Sequence, residues 1–236
     1  SFGSRTLFRN FAIHLRAGDR VALIGPNGVG KTTLLNIITG SERADTGSFR
    51  YGTNVDIGYY DQQQASLHPE KDVMSEVWDD FPTMEPDRVR GTLALFLITG
   101  EDVFRPIATL SGGERGRVAL AKLMLRKDNF LILDEPTNHL DMDSREVLEC
   151  ALDDFDGTIL TVSHDRYFIN RVANRIIEMT DEGVTEYTGN YDDYLEKKRQ
   201  LAENQLVIDA AGKTRTQIDK EKRAERLSRE SARALK

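Results

Sequence analysis

The feature that most constrains this chain is a glycine-rich loop set between an apolar run and a helical pattern. Residues Gly25 to Thr32 read Gly-Pro-Asn-Gly-Val-Gly-Lys-Thr and match G-x-x-x-x-G-K-[ST]. The apolar run Arg20 to Ile24 before the loop predicts a buried strand, and the spacing over Thr32 to Thr39 predicts a helix. Because main-chain N–H groups at a helix N-terminus favour anions, we predict a phosphate-binding site here.

Two further apolar runs end in residues that can carry chemistry. The run Phe130 to Leu133 ends at Asp134 and Glu135, and Thr158 to Val162 ends at a segment containing His164. Ligands of parallel α/β sheets lie at the carboxyl ends of the strands. We therefore expect the acidic pair, the histidine and the glycine-rich loop to meet at one edge of a sheet.

The residue types at this edge suit the hydrolysis of ATP with magnesium. Lys31 would reach the β- and γ-phosphates, while the Thr32 hydroxyl and Asp134 would hold the metal ion. Glu135 would act as the general base that deprotonates the attacking water. A strand that ends in polar residues is common in itself, but the glycine-rich loop supplies a reason for a magnesium ligand.

A third segment, Leu110-Ser111-Gly112-Gly113-Glu114, combines backbone donors with a serine hydroxyl before a predicted helix at Glu114 to Arg126. Alone, Ser111 could simply be a helix cap. Together with the other motifs, the segment resembles that of the ATP-binding cassette family, and the resemblance covers about residues 1–196. It implies an α/β phosphate-loop NTPase core with an antiparallel β-subdomain and a small helical subdomain near 64–115.

The resemblance also implies roles for particular residues. Gln62 is similar to the glutamine that contacts magnesium and the attacking water, although Gln63 or Gln64 could take that place. His164 would contact the γ-phosphate, and Phe2 would stack on adenine or instead pack on the first strands. Further contacts to ATP in the same cleft are expected from Asn27, Gly28, Val29, Gly30, Lys31, Thr32 and Thr33. The nucleotide of a facing cassette would be contacted by Ser111, Gly112, Gly113 and Asp141.

A finer resemblance connects the chain to the ABC-F branch, whose members carry two cassettes and act on ribosomes. It comes from Glu135 to Asp141 (Glu-Pro-Thr-Asn-His-Leu-Asp), Val103 to Pro106 and Gly189 to Leu195. The latter two are similar to segments of the second cassette, and 197–236 to the start of a C-terminal extension. The implied partners are a second cassette, from the same parent chain or a homodimer, and the ribosome with its rRNA.

The resemblance implies a cytoplasmic protein, hydropathy indicates no membrane insertion, and the charge is unevenly distributed along the chain. Residues 197–236 carry 12 Lys+Arg and 6 Asp+Glu, net +6, whereas 1–196 carry 20 and 33, net −13. We predict a basic helical tail that is either a solvated helix or an RNA contact. No apolar stretch approaches the roughly 18 residues of a membrane helix. The first residues lack an initiator Met and an apolar signal region, so we expect a fragment of a longer protein.

Two other functions remain open from the sequence. The chain could be the nucleotide-binding subunit of a membrane transporter, or an ATPase associated with DNA repair. Long coiled coils usually interrupt the latter, and about fifty residues between Gln62 and Ser111 leave no room for one.

Other patterns predict local structure. Residues 47–60 predict antiparallel strands, 69–97 predict helices interrupted at Pro82 and Pro86, and 175–187 predict a hairpin. The single cysteine, Cys150, is expected to be a buried helix residue.

Overall fold

The computed structural model describes residues 7, 11–61, 67–138 and 140–211, with side chains described to residue 204. Six strands and seven α-helices are defined in these ranges. In chain order they are β1 (Arg20–Ile24), α1 (Lys31–Ile38), β2 (Ile57–Asp61), α2 (Val73–Trp78), α3 (Pro86–Leu95), α4 (Gly112–Leu125), β3 (Phe130–Asp134), α5 (Met142–Asp153), β4 (Thr158–Val162), α6 (Arg166–Val172), β5 (Arg175–Thr180), β6 (Gly183–Thr188) and α7 (Tyr191–Ala211).

The strands form one sheet in the order β2-β3-β4-β1-β5-β6. All neighbours are parallel except β5 and β6, which form the predicted antiparallel hairpin. The carboxyl ends of β3, β4 and β1 therefore lie side by side at one edge. This arrangement confirms the expectation that the three apolar runs deliver their terminal residues to the same place.

The central strands are predominantly apolar because helices cover both faces of the sheet. Along β3, Phe130 and Ile132 pack on the face that α1 covers, whereas Leu131 and Leu133 pack on the opposite face. The second face carries α4, α5 and α6. Asp134 continues the alternation and so falls on the face of α1, beside the glycine-rich loop.

A helical lobe, residues 73–109, packs on the same apolar cluster as α4. It consists of α2, α3 and two short 3₁₀ helices at Gly100–Phe104 and Ile107–Thr109. Pro82 lies between α2 and α3, as predicted, but Pro86 occupies the first turn of α3 instead of interrupting a helix. That position suits proline because its missing N–H would have no helical partner there.

The prediction of antiparallel strands at 47–60 is wrong. The only strand among these residues is β2, and it pairs in parallel with β3. Alternation of polar and apolar residues reports a half-buried strand but carries no information about its partner or direction.

The prediction that Cys150 is buried is also wrong, because its side chain is exposed on α5. The buried positions of α5 are Ser144, Leu148 and Leu152, spaced four residues apart. Cys150 lies two residues from Leu148, or about 200° around the helix, and so falls on the opposite face.

Contacts divide the chain into one unit ending at Tyr191 and a second beginning at Asp192. Within the described residues, the second unit consists of α7 from Asp192 onward, and this helix extends past the predicted boundary at 196. Residues 212–236 of the predicted tail lie outside the described residues. No helix in the described part of the chain has the length and apolar character needed to cross a bilayer.

Candidate nucleotide site

The glycine-rich loop connects β1 to α1 with two backbone conformations that favour glycine. Gly30 is the N-cap of α1 with φ 107°, a left-handed conformation that side chains disfavour. Gly25 has φ 153°, and a Cβ atom there would lie 2.3 Å from the carbonyl oxygen of Met179 on β5. Glycine at these positions thus lets the loop turn sharply while it packs against the sheet.

Lys31 lies across this loop and is only 8% exposed. Its ammonium donates hydrogen bonds to the carbonyl oxygens of Gly25 at 2.8 Å and Pro26 at 3.1 Å. Burial lowers the pKa of Lys31, while the nearby carboxylates Glu135 and Asp134 act in the opposite direction. The ammonium of Lys31 is thus held over the loop, where a bound phosphate would give it a charged hydrogen-bond acceptor.

Asp134 ends β3 beside the first turn of α1. Its side chain is 7% exposed, and burial raises its pKa, against a hydrogen bond with Thr32 and the charge of Lys31. The neighbouring oxygens of Asp134 and Thr32 fit a magnesium ion, which prefers oxygen ligands and takes few of them from protein. The described residues contain no cluster of three or more His, Cys, Asp or Glu side chains placed to hold a metal.

Glu135 leaves the strand in a left-handed conformation with φ 49°. Its backbone N–H still bonds the Val162 carbonyl oxygen of β4 at 2.8 Å. Such a conformation is disfavoured by about 1–2 kcal/mol for a residue with a side chain, so the surrounding structure must impose it. The turn separates the directions of the two acids, because the chain no longer follows the strand after Asp134.

His164 follows β4 and contacts Glu135 twice. Its backbone N–H donates to Oε2 of Glu135 at 3.3 Å, and its Nε2 lies 3.5 Å from Oε1. Burial raises the pKa of Glu135, and the charge of His164 acts against that rise. A half-buried carboxylate with a raised pKa and an adjacent imidazole is suited to accept a proton from water.

These groups line one cleft of about 590 Å³. Of the predicted site residues, it contains Asn27, Gly28, Gly30, Lys31, Thr32, Thr33, Asp134, Glu135 and His164. Val29 is buried beneath the loop. Gln62 and Phe2 lie outside the described residues. The cleft also includes Leu7, Asn138 and Val162, which the sequence analysis did not assign; the polar turn after Glu135 was the available signal for Asn138.

The remaining predicted residues do not line this cleft. Ser111 is the N-cap of α4, where it accepts from the Glu114 N–H at 3.2 Å, and the Glu114 carboxylate accepts from the Ser111 N–H at 2.7 Å. Gly112 is exposed and Gly113 half-buried. The Ser111 N–H and the Arg105 guanidinium, 2.6 Å away, hold the pKa of Glu114 at about 2, although burial opposes them. The glycine-rich end of α4 is therefore rigidly capped.

Asp141 occupies the equivalent position at the start of α5. It accepts from the Ser144 N–H at 2.8 Å and from Arg117 on α4 at 3.2 Å. The hydroxyl and N–H of Ser144, followed by Arg117, lower the pKa of Asp141. The contact with Arg117 ties the starts of α4 and α5 together on the surface, apart from the cleft.

The fold and the cleft define an α/β protein of the phosphate-loop nucleotide-binding class. The family model described as ABC transporter matches residues 8–138, more than half of the chain. The chain therefore belongs to this family of ATP-binding cassettes, in which ATP hydrolysis is the general activity.

Relatives and solved structures agree with this assignment. The Bacillus subtilis protein YdiF, named as an ATP-binding protein, is 53% identical over 84% of this chain and 31% of its own length. The Arabidopsis thaliana ABC transporter F family member 2 is 39% identical over 89% of this chain and 31% of its own. The chain thus spans about a third of the length of these relatives.

The bacterial ABC transporter cassette MJ0796, solved as a dimer, has the same fold. Its TM-score to this chain is 0.69, with 24% sequence identity over 79% of this chain and 93% of its own. A second dimeric structure of that cassette is described as bound to ADP and Pi.

Proposed function

We propose that this chain is an ATP-hydrolysing cassette of a soluble ABC-F protein. The observation that supports it best is the single cleft joining the phosphate loop, Asp134, Glu135 and His164. The names of relatives such as the ABC transporter F family members support the branch. The proposal includes the second-cassette assignment, with the cassette at 1–196 and the basic tail at 197–236.

In this mechanism the loop amides and Lys31 bind the β- and γ-phosphates, and Phe2 stacks on the adenine. Thr32, Asp134 and Gln62 would hold magnesium, which when bound would neutralise charge on the phosphates. Glu135 accepts the proton of the attacking water, and its raised pKa supports that role. His164, 3.5 Å from Glu135, orients the γ-phosphate beside that water.

Pairing with a second cassette completes the site. Four predicted residues lie outside the chain's own cleft: Ser111 and Asp141, which have polar side chains, and Gly112 and Gly113, which offer backbone N–H groups. Their position supports contact with the nucleotide of a facing cassette. The partner is the other cassette of the parent chain or a second copy. A lone cassette would then bind ATP but hydrolyse it slowly.

The pairing is tested by measuring phosphate release per molecule over a wide range of protein concentration. Specific activity should rise with concentration as copies meet. A flat profile would refute the need for a second cassette.

Coupling to the ribosome is the final part of the proposal: closure of paired cassettes on ATP would regulate ribosome binding and thereby translation in the cytoplasm. The test is co-sedimentation of the Glu135→Gln variant, with ATP, against purified ribosomes and against membranes. Pelleting with ribosomes is expected. Pelleting only with membranes would instead favour a transporter subunit, and ATP-dependent retention on DNA would favour a repair ATPase.

A further inference from the structure

Two ion pairs join α5 to α6 and lie at different distances from the nucleotide cleft. Nη1 of Arg145 lies 3.0 Å from Oδ2 of Asp165, immediately after His164. Nη2 of Arg171 lies 2.7 Å from Oδ2 of Asp153, at the C-terminal ends of both helices. Because the two pairs connect the same helices, replacing Arg171 is a control for replacing Arg145. A different effect on turnover would then come from the position of the Arg145 pair beside the cleft.

Arg145 also contacts a second residue, whereas the described bonds of the Arg171 guanidinium, from Nε and Nη2, both go to Asp153. Nε of Arg145 donates to the carbonyl oxygen of Leu140 at 3.2 Å. Leu140 immediately precedes Asp141, the exposed N-cap of α5. The planar guanidinium therefore spans from the start of α5 to the loop that carries His164, with a geometry that a flexible ammonium does not reproduce.

The two carboxylate oxygens of Asp165 bind different groups. Oδ1 accepts from the N–H groups of Tyr167 and Phe168 at 3.0 and 3.2 Å and so caps α6. Oδ2 is bound by Arg145. With one oxygen fixed to the helix and the other to Arg145, the backbone next to His164 is restrained from both sides.

The restraint continues into the cleft. The His164 N–H bonds Oε2 of Glu135 at 3.3 Å, and its ring approaches Oε1 at 3.5 Å. A continuous series of contacts therefore runs from Leu140 through Arg145 and Asp165 to His164 and Glu135. Small displacements of a reacting group are costly, since about 1 Å can reduce a rate by about 10²-fold.

We propose that Arg145 is a positioning residue that fixes the His164 loop, and thereby Glu135, to the start of α5. The inference rests on the proposed function, in which Asp141 faces a second cassette. Binding of the second cassette at Asp141 then fixes the position of Leu140. Through its bonds to Leu140 and Asp165, Arg145 in turn fixes the position of His164 beside Glu135 in the cleft. Arg145 itself is not among the described residues that line the cleft.

The competing explanation is that Arg145 forms an ordinary surface ion pair. Its side chain is 44% exposed, and that of Arg171 is 52% exposed. Pairs at such exposure contribute little to stability. If stability were the only role, Arg145→Met and Arg171→Met should have similar, small effects on both the melting temperature and turnover.

The experiment compares these two variants with the unaltered chain in steady-state ATP hydrolysis, at a concentration where turnover has reached its plateau. Arg145→Met should lower kcat by about tenfold, with KM and the affinity for a fluorescent ATP analogue changed less than about twofold. Arg171→Met should leave kcat within about twofold. Arg145→Lys, which keeps the charge but not the planar fork, should recover part of the lost kcat.

Melting temperatures separate positioning from unfolding, since both methionine variants should melt within a few degrees of the unaltered chain. Equal kcat values for the two methionine variants would overturn the inference. A loss of kcat in Arg145→Met that simply follows a large loss of melting temperature would also overturn it. If the unaltered chain shows no turnover that depends on Lys31, the proposed function fails instead.

Discussion

Glu76 is a fully buried carboxylate in the helical lobe, and its replacement gives a quantitative test of the packing. Oε1 accepts from Lys122 of α4 at 2.5 Å, while Oε2 accepts from the N–H and Nδ1 of His68 at 3.1 and 2.9 Å. Lys122 also lies 3.0 Å from Asp80. Glu76 thus connects α4 to the segment that follows the end of β2.

The substitution Glu76→Gln keeps the shape of the side chain but removes its charge. Removing one partner of a buried ion pair typically destabilises by about 3–5 kcal/mol. Two features reduce that value here: Asp80 remains beside Lys122, which is 16% exposed, and the amide oxygen can still accept one bond. We expect a loss of about 2–3 kcal/mol, or roughly 5–10 °C in Tm for a chain of this size.

The effect depends on pH in a definite direction. Burial alone would raise the pKa of Glu76, but hydrogen bonds from Lys122 and His68 outweigh it and lower that pKa below its ordinary 4.5. A lowered pKa means that the carboxylate stabilises the fold fully above about pH 4.5 and progressively less as pH falls through the lower, folded value. The difference between the two proteins should therefore shrink in acid.

Urea unfolding followed by circular dichroism measures this at neutral pH and again below pH 4. Glu101→Gln, a change at an exposed glutamate of the same lobe, is the matched control and should alter stability by less than about 0.5 kcal/mol. Equal stability of Glu76→Gln and the unaltered chain at neutral pH, or a difference that grows in acid, would refute the reasoning.

Three further substitutions test the cleft and α4. Glu135→Gln should lower phosphate release at least about 10²-fold yet keep nucleotide affinity in a fluorescence titration; unchanged release would exclude the general base. Gly25→Ala forces a Cβ to 2.3 Å from Met179 and should abolish ATP binding, whereas Gly91→Ala, in open space on α3, should not; normal binding by both would contradict the loop geometry. Ser111→Ala should lose about 1 kcal/mol of stability, seen as a Tm lower by about 2–4 °C, without weakening ATP binding to the unpaired cassette, whose own cleft Ser111 does not line.

The sequence was informative wherever a local pattern determines structure. The runs ending at Ile24, Asp134 and Val162 are strands, because predominantly apolar runs suit a sheet covered on both sides. The glycines at 25 and 30 predicted a tight loop for a reason that the backbone angles bear out. These features brought Lys31, Asp134, Glu135 and His164 into one cleft, as expected from strand ends alone.

What the sequence did not reveal depends on contacts between distant segments. Glu76 and Lys122 are 46 residues apart, and no periodicity marks either as half of a buried pair. Gly116 on α4 also lies close to distant segments, since a Cβ there would approach the Tyr60 hydroxyl to 3.3 Å and Leu140 to 3.5 Å. The partner of β2 likewise follows from the packing of α4 and β3, which a pattern within residues 47–60 cannot encode.

The central claim is that the triphosphate of ATP, with magnesium, binds over the loop at the start of α1. Calorimetric titration of the chain with Mg·ATP, repeated with Lys31→Ala and with the exposed control Lys127→Ala, tests it most directly. The account predicts saturable binding that ADP competes for, an affinity about 10–100-fold weaker in Lys31→Ala, and no change in Lys127→Ala. Absence of binding by the unaltered chain, or equal affinities for all three proteins, would contradict it.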